Sequence, residues 1–166
     1  MGRTVRTTLT TALATLATAG AALIGATTLA TPARAAAVTT SSLQSQLVTY
    51  TNNTRTRAGC KPLRLDSRLL LAARGHSAYQ ARTNRMSHIG SGGSSFVTRA
   101  HRAGYPWPMA ENVAYGYPTA SATMKAWMAS PGHRANILDC RARALAVGVY
   151  YSTNGTPYYT QEFGWR

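Results

Sequence analysis

Charge of one sign is almost missing from this chain: 4 of its 166 residues are Asp or Glu, against 18 Lys and Arg. Charged residues of both signs make up 13% of the sequence, about half the usual share of a soluble domain, while 45% are hydrophobic. A disordered acidic or basic tail would carry more charge and fewer large apolar side chains, so that class is excluded. Two cysteines are too few for a disulfide-dense miniature scaffold or for a four-cysteine zinc ribbon. No apolar run suits a polytopic membrane protein. Repeats and internal linkers are missing as well. The length leaves room for one ordinary domain, or two small ones.

The first 35 residues read as an address rather than as structure. Arg3 and Arg6 lead, and no charged residue follows from Thr7 to Ala33. Ala33-Arg34-Ala35 is an A-x-A cleavage pattern, so residues 1–35 are expected to be a secretory signal peptide. Cleavage after Ala37 fits nearly as well. Thr and Ala dilute the stretch below what a transmembrane span of about 20 residues needs. Arg3 and Arg6 are not adjacent, so the twin-arginine route gains no support. Residues 36–42 are expected to be a short flexible lead-in, and 43–166 the domain. Three of the 18 basic residues leave with the leader, so the mature charge is 15 − 4 = +11. A secreted, extracellular protein meets an oxidising compartment. Cys60 and Cys140 are then the only possible intrachain disulfide, 80 positions apart. Two free thiols are the alternative.

Helices dominate the first two thirds of the domain. The first starts at Ser41 or Ser42 and is stopped by Gly59. Asp66 caps a second, running to about Arg85, with His76 on its apolar stripe as a core residue. A short third helix covers Ser95 to Ala103, and a fourth covers Ser121 to Ala129, broken by Pro131-Gly132. Asn112 to Gly116 is a candidate strand. The alternation after Ala144, and Asn154-Gly155 between aromatic runs, predict a closing hairpin. The order suggests α+β, with helices packed on a small, mostly antiparallel sheet.

Three side chains stand where elements end: His88, Glu111 and His133. Two imidazoles and a carboxylate form the ligand set of a catalytic zinc site with one open position. Spacings of 23 and 22 residues match no local metal motif, and H-E-x-x-H is absent, so dispersed, hydrogen-bonded histidines are the plainer reading. Tyr105 and Trp107 either rim a ligand cleft or pack under a loop. Glu162 is read on the sheet's solvent side, without a role.

Taken together, several phrases resemble the CAP superfamily of cysteine-rich secretory, antigen 5 and pathogenesis-related-1 proteins, with its sperm-coating-protein-like domain. They include Leu63-Arg64-Leu65-Asp66, His88 with its Gly-rich follower, Glu111-Asn112-Val113-Ala114, Trp127 through Leu138, and Tyr159-Thr160-Gln161-Glu162-Phe163. The likeness covers residues 43 to 164 and is closest to the short bacterial single-domain branch. It implies a three-layer α-β-α sandwich with an open cleft. It also implies a tetrad of two His and two Glu there, which binds zinc in some members. Carried over by position, His88, Glu111 and His133 match three of the four. The fourth position holds Ser130 instead of Glu, so the carboxylate best suited to general-base work is missing. Metal would rest on His88 and His133, with Glu111 as third ligand or as a water-orienting base.

Three functional readings follow. The first is a secreted binding protein whose cleft takes a lipid, a sterol or an envelope fragment; its lipid and sterol ligands are implied by the resemblance alone. The second is a metal-assisted hydrolase of peptide or envelope polymer with Glu111 as general base, weakened by Ser130. The third is a structural or host-interaction module with a vestigial site. The balance leans away from catalysis. The net charge favours anionic partners such as envelope polymers. Nucleic acid is not expected, since no binding module is recognisable. The mature chain is expected to be a monomer without a transmembrane span.

Overall fold

The computed structural model describes Met1, Gly2, Thr4 and residues 39–166. The apolar stretch of the expected signal peptide and its expected cleavage site lie outside the described residues. The domain begins with helix α1 (Thr40–Arg57), so Thr40 to Ser42 belong to a helix and not to a flexible lead-in. Strand β1 (Arg64–Leu65) and helices α2 (Ser67–Thr83) and α3 (Phe96–Arg102) follow. Strand β2 (Pro108–Tyr115), helices α4 (Ala120–Ala129) and α5 (Pro131–Leu138), and strands β3 (Ala144–Tyr151) and β4 (Pro157–Gly164) complete it.

Local chemistry explains most boundaries. The side chains of Thr39, Asp66, Ser95 and Thr119 each accept a backbone N–H in the first turn of their helix. Asn84 closes α2 in the left-handed conformation, at φ 50°. Pro131 breaks α4, as its sequence suggested, but it also opens α5. Proline suits the first helical position because its missing N–H would have no partner there. The Asn154-Gly155 turn is present, within a five-residue connection between the paired Tyr151 and Pro157.

The sheet order is β1-β3-β4-β2, with β3, β4 and β2 antiparallel and β1 parallel to β3. On one face α1, α4 and α5 pack Leu43, Leu47, Met124, Trp127 and Ile137 against Leu145, Val147, Tyr159 and Phe163. On the other, α2 and α3 bring Leu69 and Ala100 against Ala144, Ala146 and Tyr105. The result is the expected α-β-α sandwich of the α+β class. All eight residues of β4 are buried, because both of its faces are covered.

The approach of α2 to the sheet is set at Gly148. A Cβ there would fall on the backbone of Ala73, and Ser77 Oγ donates to the Gly148 carbonyl at 3.0 Å. Close-packed interiors resist such insertions. Gly148→Ala is therefore expected to lower stability by about 3 kcal/mol or more, read from urea unfolding. A loss under ~1 kcal/mol would mean that α2 can slide away.

The disulfide reading holds. Cys60 and Cys140 are joined, with a Cα–Cα distance of 4.9 Å, and tie the chain after α1 to the end of α5.

Candidate functional site

Residues on one face of β2 and β4 form the floor of the site. Glu111 and Glu162 are cross-strand partners in the register, so their side chains stand side by side under α2. Both are buried, Glu162 completely. This corrects the sequence reading, which placed Glu162 toward solvent. Glu111 is fully engaged: His88 Nδ1 donates to Oε1 at 2.8 Å, and Arg99 Nη2 from α3 forms a short ion pair with Oε2. Arg99 also donates to the backbone oxygens of His88 and Ser94, so it fixes the Gly-rich loop as well as the carboxylate. His76 is core, as expected. Its Nε2 donates to the Ser87 carbonyl at 2.7 Å and lies 3.8 Å from Glu111. Burial pushes its pKa down, so it is neutral.

Neither oxygen of Glu162 has a hydrogen-bond partner while both carboxyls are ionised, because neither can donate. A proton on Glu162 supplies the missing donor to Glu111. Burial first, and the neighbouring Glu111 charge second, hold the Glu162 pKa well above the usual carboxylate range. The native protein then binds a proton that the unfolded chain releases above its carboxylate pKa. Stability therefore falls as pH rises beyond that point, by up to about 1.4 kcal/mol per pH unit. Glu162→Gln removes this slope while its amide can still donate to Glu111. The variant should match wild type near pH ~4 and become progressively more stable than it toward pH ~7. Urea midpoints across that range check this, and a constant gap would contradict it.

The cleft lies beside this floor. A cavity of about 210 Å³ is walled by Met86, Val113, Tyr115, Tyr117, Ala126 and Trp127, with Ser130 and His133 at its polar side. His133 stands in the first turn of α5. Its carbonyl accepts from Asn112 Nδ2, and Asn112 in turn holds Asn136 and Gln161. This buried amide chain, with Asn136 also reaching the Glu111 carbonyl, locks α5 against the sheet. Asn136 thus ties the segment to the sheet, whereas Arg134 is exposed. The His88 ring is 55% exposed. Its bond to Glu111 raises its pKa and leaves Nε2 as the free ring nitrogen. Burial, and then the charge on His88, lower the pKa of His133. Ser130 stands at the N-cap of α5 without a side-chain hydrogen bond to the first turn.

Tyr105 neither rims the cleft nor packs under a loop but is fully buried in the core with Leu69, Ala100, Ala144 and Ala146. Trp107, just before β2, is exposed and outside the cleft lining. The residues that sequence reasoning left without a role are Arg99 and Glu162. The signals for Glu162 were its place in the family-like phrase Tyr159 to Phe163 and its being one of four acids, set inside an aromatic strand.

The implied zinc was tested against these side chains. No group of three His, Cys, Asp or Glu side chains is gathered for a metal among the described residues. Glu111 is occupied by Arg99, so it fits the part of a partner orienting His88 better than that of a ligand. His88 and His133 offer two nitrogens, one protein ligand short of a catalytic zinc centre.

Comparisons with known proteins agree with this architecture. YkwD, an uncharacterized protein of Bacillus subtilis (strain 168), is 34% identical over 74% of this chain and 47% of its own. An extracellular protein containing an SCP domain from Bacillus anthracis superposes with a TM-score of 0.70 at 28% identity, over 76% of this chain and 41% of that one. A cysteine-rich secretory protein of Staphylococcus aureus shares the fold, with a TM-score of 0.62 at 21% identity, over 76% and 40%. This chain spans less than half the length of each. The family model for CAP, the cysteine-rich secretory protein family, matches residues 48–163, and the chain belongs to that family.

Proposed function

We propose that this CAP-domain protein is exported and works by binding, with the cleft beside His88 and His133 as its ligand site. The observation that carries the reading is the state of the carboxylates. Glu111 is held by Arg99 and His88, and Glu162 is fully buried and outside the cavity lining, so neither is placed to take a proton from water in the cleft. What faces the opening is apolar and aromatic, with an imidazole and a hydroxyl at one side. That is the makeup of a binding pocket, apolar with a few placed polar groups. Its volume is below the usual 300 Å³ or more of a whole small-molecule site. The ligand therefore enters in part, as an acyl segment, a sterol ring or a side group of an envelope fragment. The rest lies along the surface. The disulfide supports export to an oxidising compartment.

Amide chemical shifts of the full chain, titrated in turn with a fatty acid, a sterol and a soluble peptidoglycan fragment, test this. One class should shift Met86, Tyr117 and His133 together, and Tyr117→Ala should weaken it about tenfold. Shifts confined to other surfaces, or none with any class, would overturn the reading.

A further inference from the structure

One end of the sheet carries a second concentration of chemistry, at the opposite end of β2 from Tyr115. The register places Arg64 beside Ala144, Ala144 beside Gly164, and Gly164 beside Pro108. Backbone bonds continue the row: Arg143 N–H donates to Gly164 O, and Trp165 N–H to Trp107 O. Arg64, Arg143, Trp165 and Trp107 thus stand at the ends of four adjacent strands, a row about 15 Å long at ~4.8 Å per strand. Both tryptophans remain part-exposed, at 39% for Trp107 and 38% for Trp165.

Arginines lie over these rings. The Arg141 guanidinium sits 5.1 Å over Trp165, and that of Arg166 sits 4.9 Å over Trp107. Arg68 covers Tyr105 in the same way at 5.1 Å. Five guanidinium groups therefore meet two side-chain carboxylates, since Asp66 serves Arg64 and Arg68 while Asp139 serves Arg141. Among the described residues the Arg143 guanidinium donates to the carbonyls of Cys140 and Ala142 and has no carboxylate partner. A guanidinium held over an indole loses little freedom when it takes an oxyanion. Among the described residues Arg166 has no side-chain carboxylate partner, whereas Arg141 already gives Nε and Nη2 to Asp139.

We propose that this end of the sheet is a docking surface for a linear phosphate polymer, whose successive phosphates are taken by Arg141, Arg143 and Arg166. The linear row favours a chain over a bilayer. Each tryptophan is also covered by an arginine, whereas a membrane anchor presents bare indole to the interface. The surface is separate from the cleft and does not depend on the ligand proposed there.

Labelled long-chain inorganic polyphosphate, titrated against the full chain at about 0.15 M salt, tests the proposal. The triple change Arg141→Gln, Arg143→Gln and Arg166→Gln should weaken binding about tenfold or more. The triple Arg82→Gln, Arg85→Gln and Lys125→Gln removes the same charge from exposed positions elsewhere and should weaken it less than about threefold. Emission from the tryptophans should change on binding in the wild type and in the second triple only. Equal losses in the two triples would overturn the docking surface in favour of diffuse charge. Binding to phosphatidylglycerol vesicles without binding to polyphosphate would overturn it in favour of a membrane. Binding to neither would overturn it outright.

Discussion

Replacing Arg99 by glutamine is expected to destabilise the domain by about 3–5 kcal/mol, the usual loss when one member of a buried ion pair is removed. The Arg99 side chain is 10% exposed, and that of Glu111 is 1% exposed. Without the guanidinium, Glu111 keeps His88 as a hydrogen-bonded partner, beside a second buried carboxyl. The His88 and Ser94 carbonyls lose their donor in the same change, so the loop that presents His88 to the cleft should loosen. Changing Glu111 to glutamine as well removes the stranded charge. The double variant should therefore be more stable than the sum of the two single losses implies, by about 1–3 kcal/mol. Urea unfolding of the four proteins measures this. Additive losses would show that Arg99 acts on the loop alone.

Loss of the Cys60–Cys140 disulfide has the second large effect. It closes a loop of 80 residues. In the chain-entropy description such a loop restricts the unfolded chain by about 4 kcal/mol. The paired change Cys60→Ala and Cys140→Ala should lower stability by about that amount. The native geometry should survive, because a second device holds the same region. Arg55 is fully buried and donates to the carbonyls of Lys61, Ile137, Asp139 and Ala142. Burial lowers its pKa, yet the guanidinium stays charged, and these four oxygens fix α5 to the end of α1. The expected outcome is a lower urea midpoint with unchanged amide shifts around His133. Displaced shifts at His133 would mean that the disulfide, and not Arg55, positions the cleft helix.

Capping chemistry made much of this fold legible. Asp66, Ser95 and the Asn154-Gly155 turn act locally, so their meaning survives without knowledge of the tertiary structure. Strand β1 was not legible, because two residues carry no periodicity. Helix α5 was missed because Pro131 was read only as a stop, although proline is also a common first residue. The three histidine and glutamate positions could be read from family motifs, but their partners could not. Glu162 faces Glu111 only through a register that no local pattern encodes. Because β4 is buried on both faces, the alternation that would have pointed Glu162 inward is absent. The role of Arg99 depends on α3, which brings it over the carboxylates.

The reading of a cleft that binds without cutting is tested most directly by recovering its ligand. The full chain is incubated with a soluble envelope extract and re-isolated, and the co-purified molecules are weighed by mass spectrometry beside those held by Glu111→Gln. Retention of a molecule at its unaltered mass, with no product accumulating over time, is the expected result. Steady appearance of two fragments whose masses together equal the parent plus one water, abolished in Glu111→Gln, would make Glu111 a working base and contradict it.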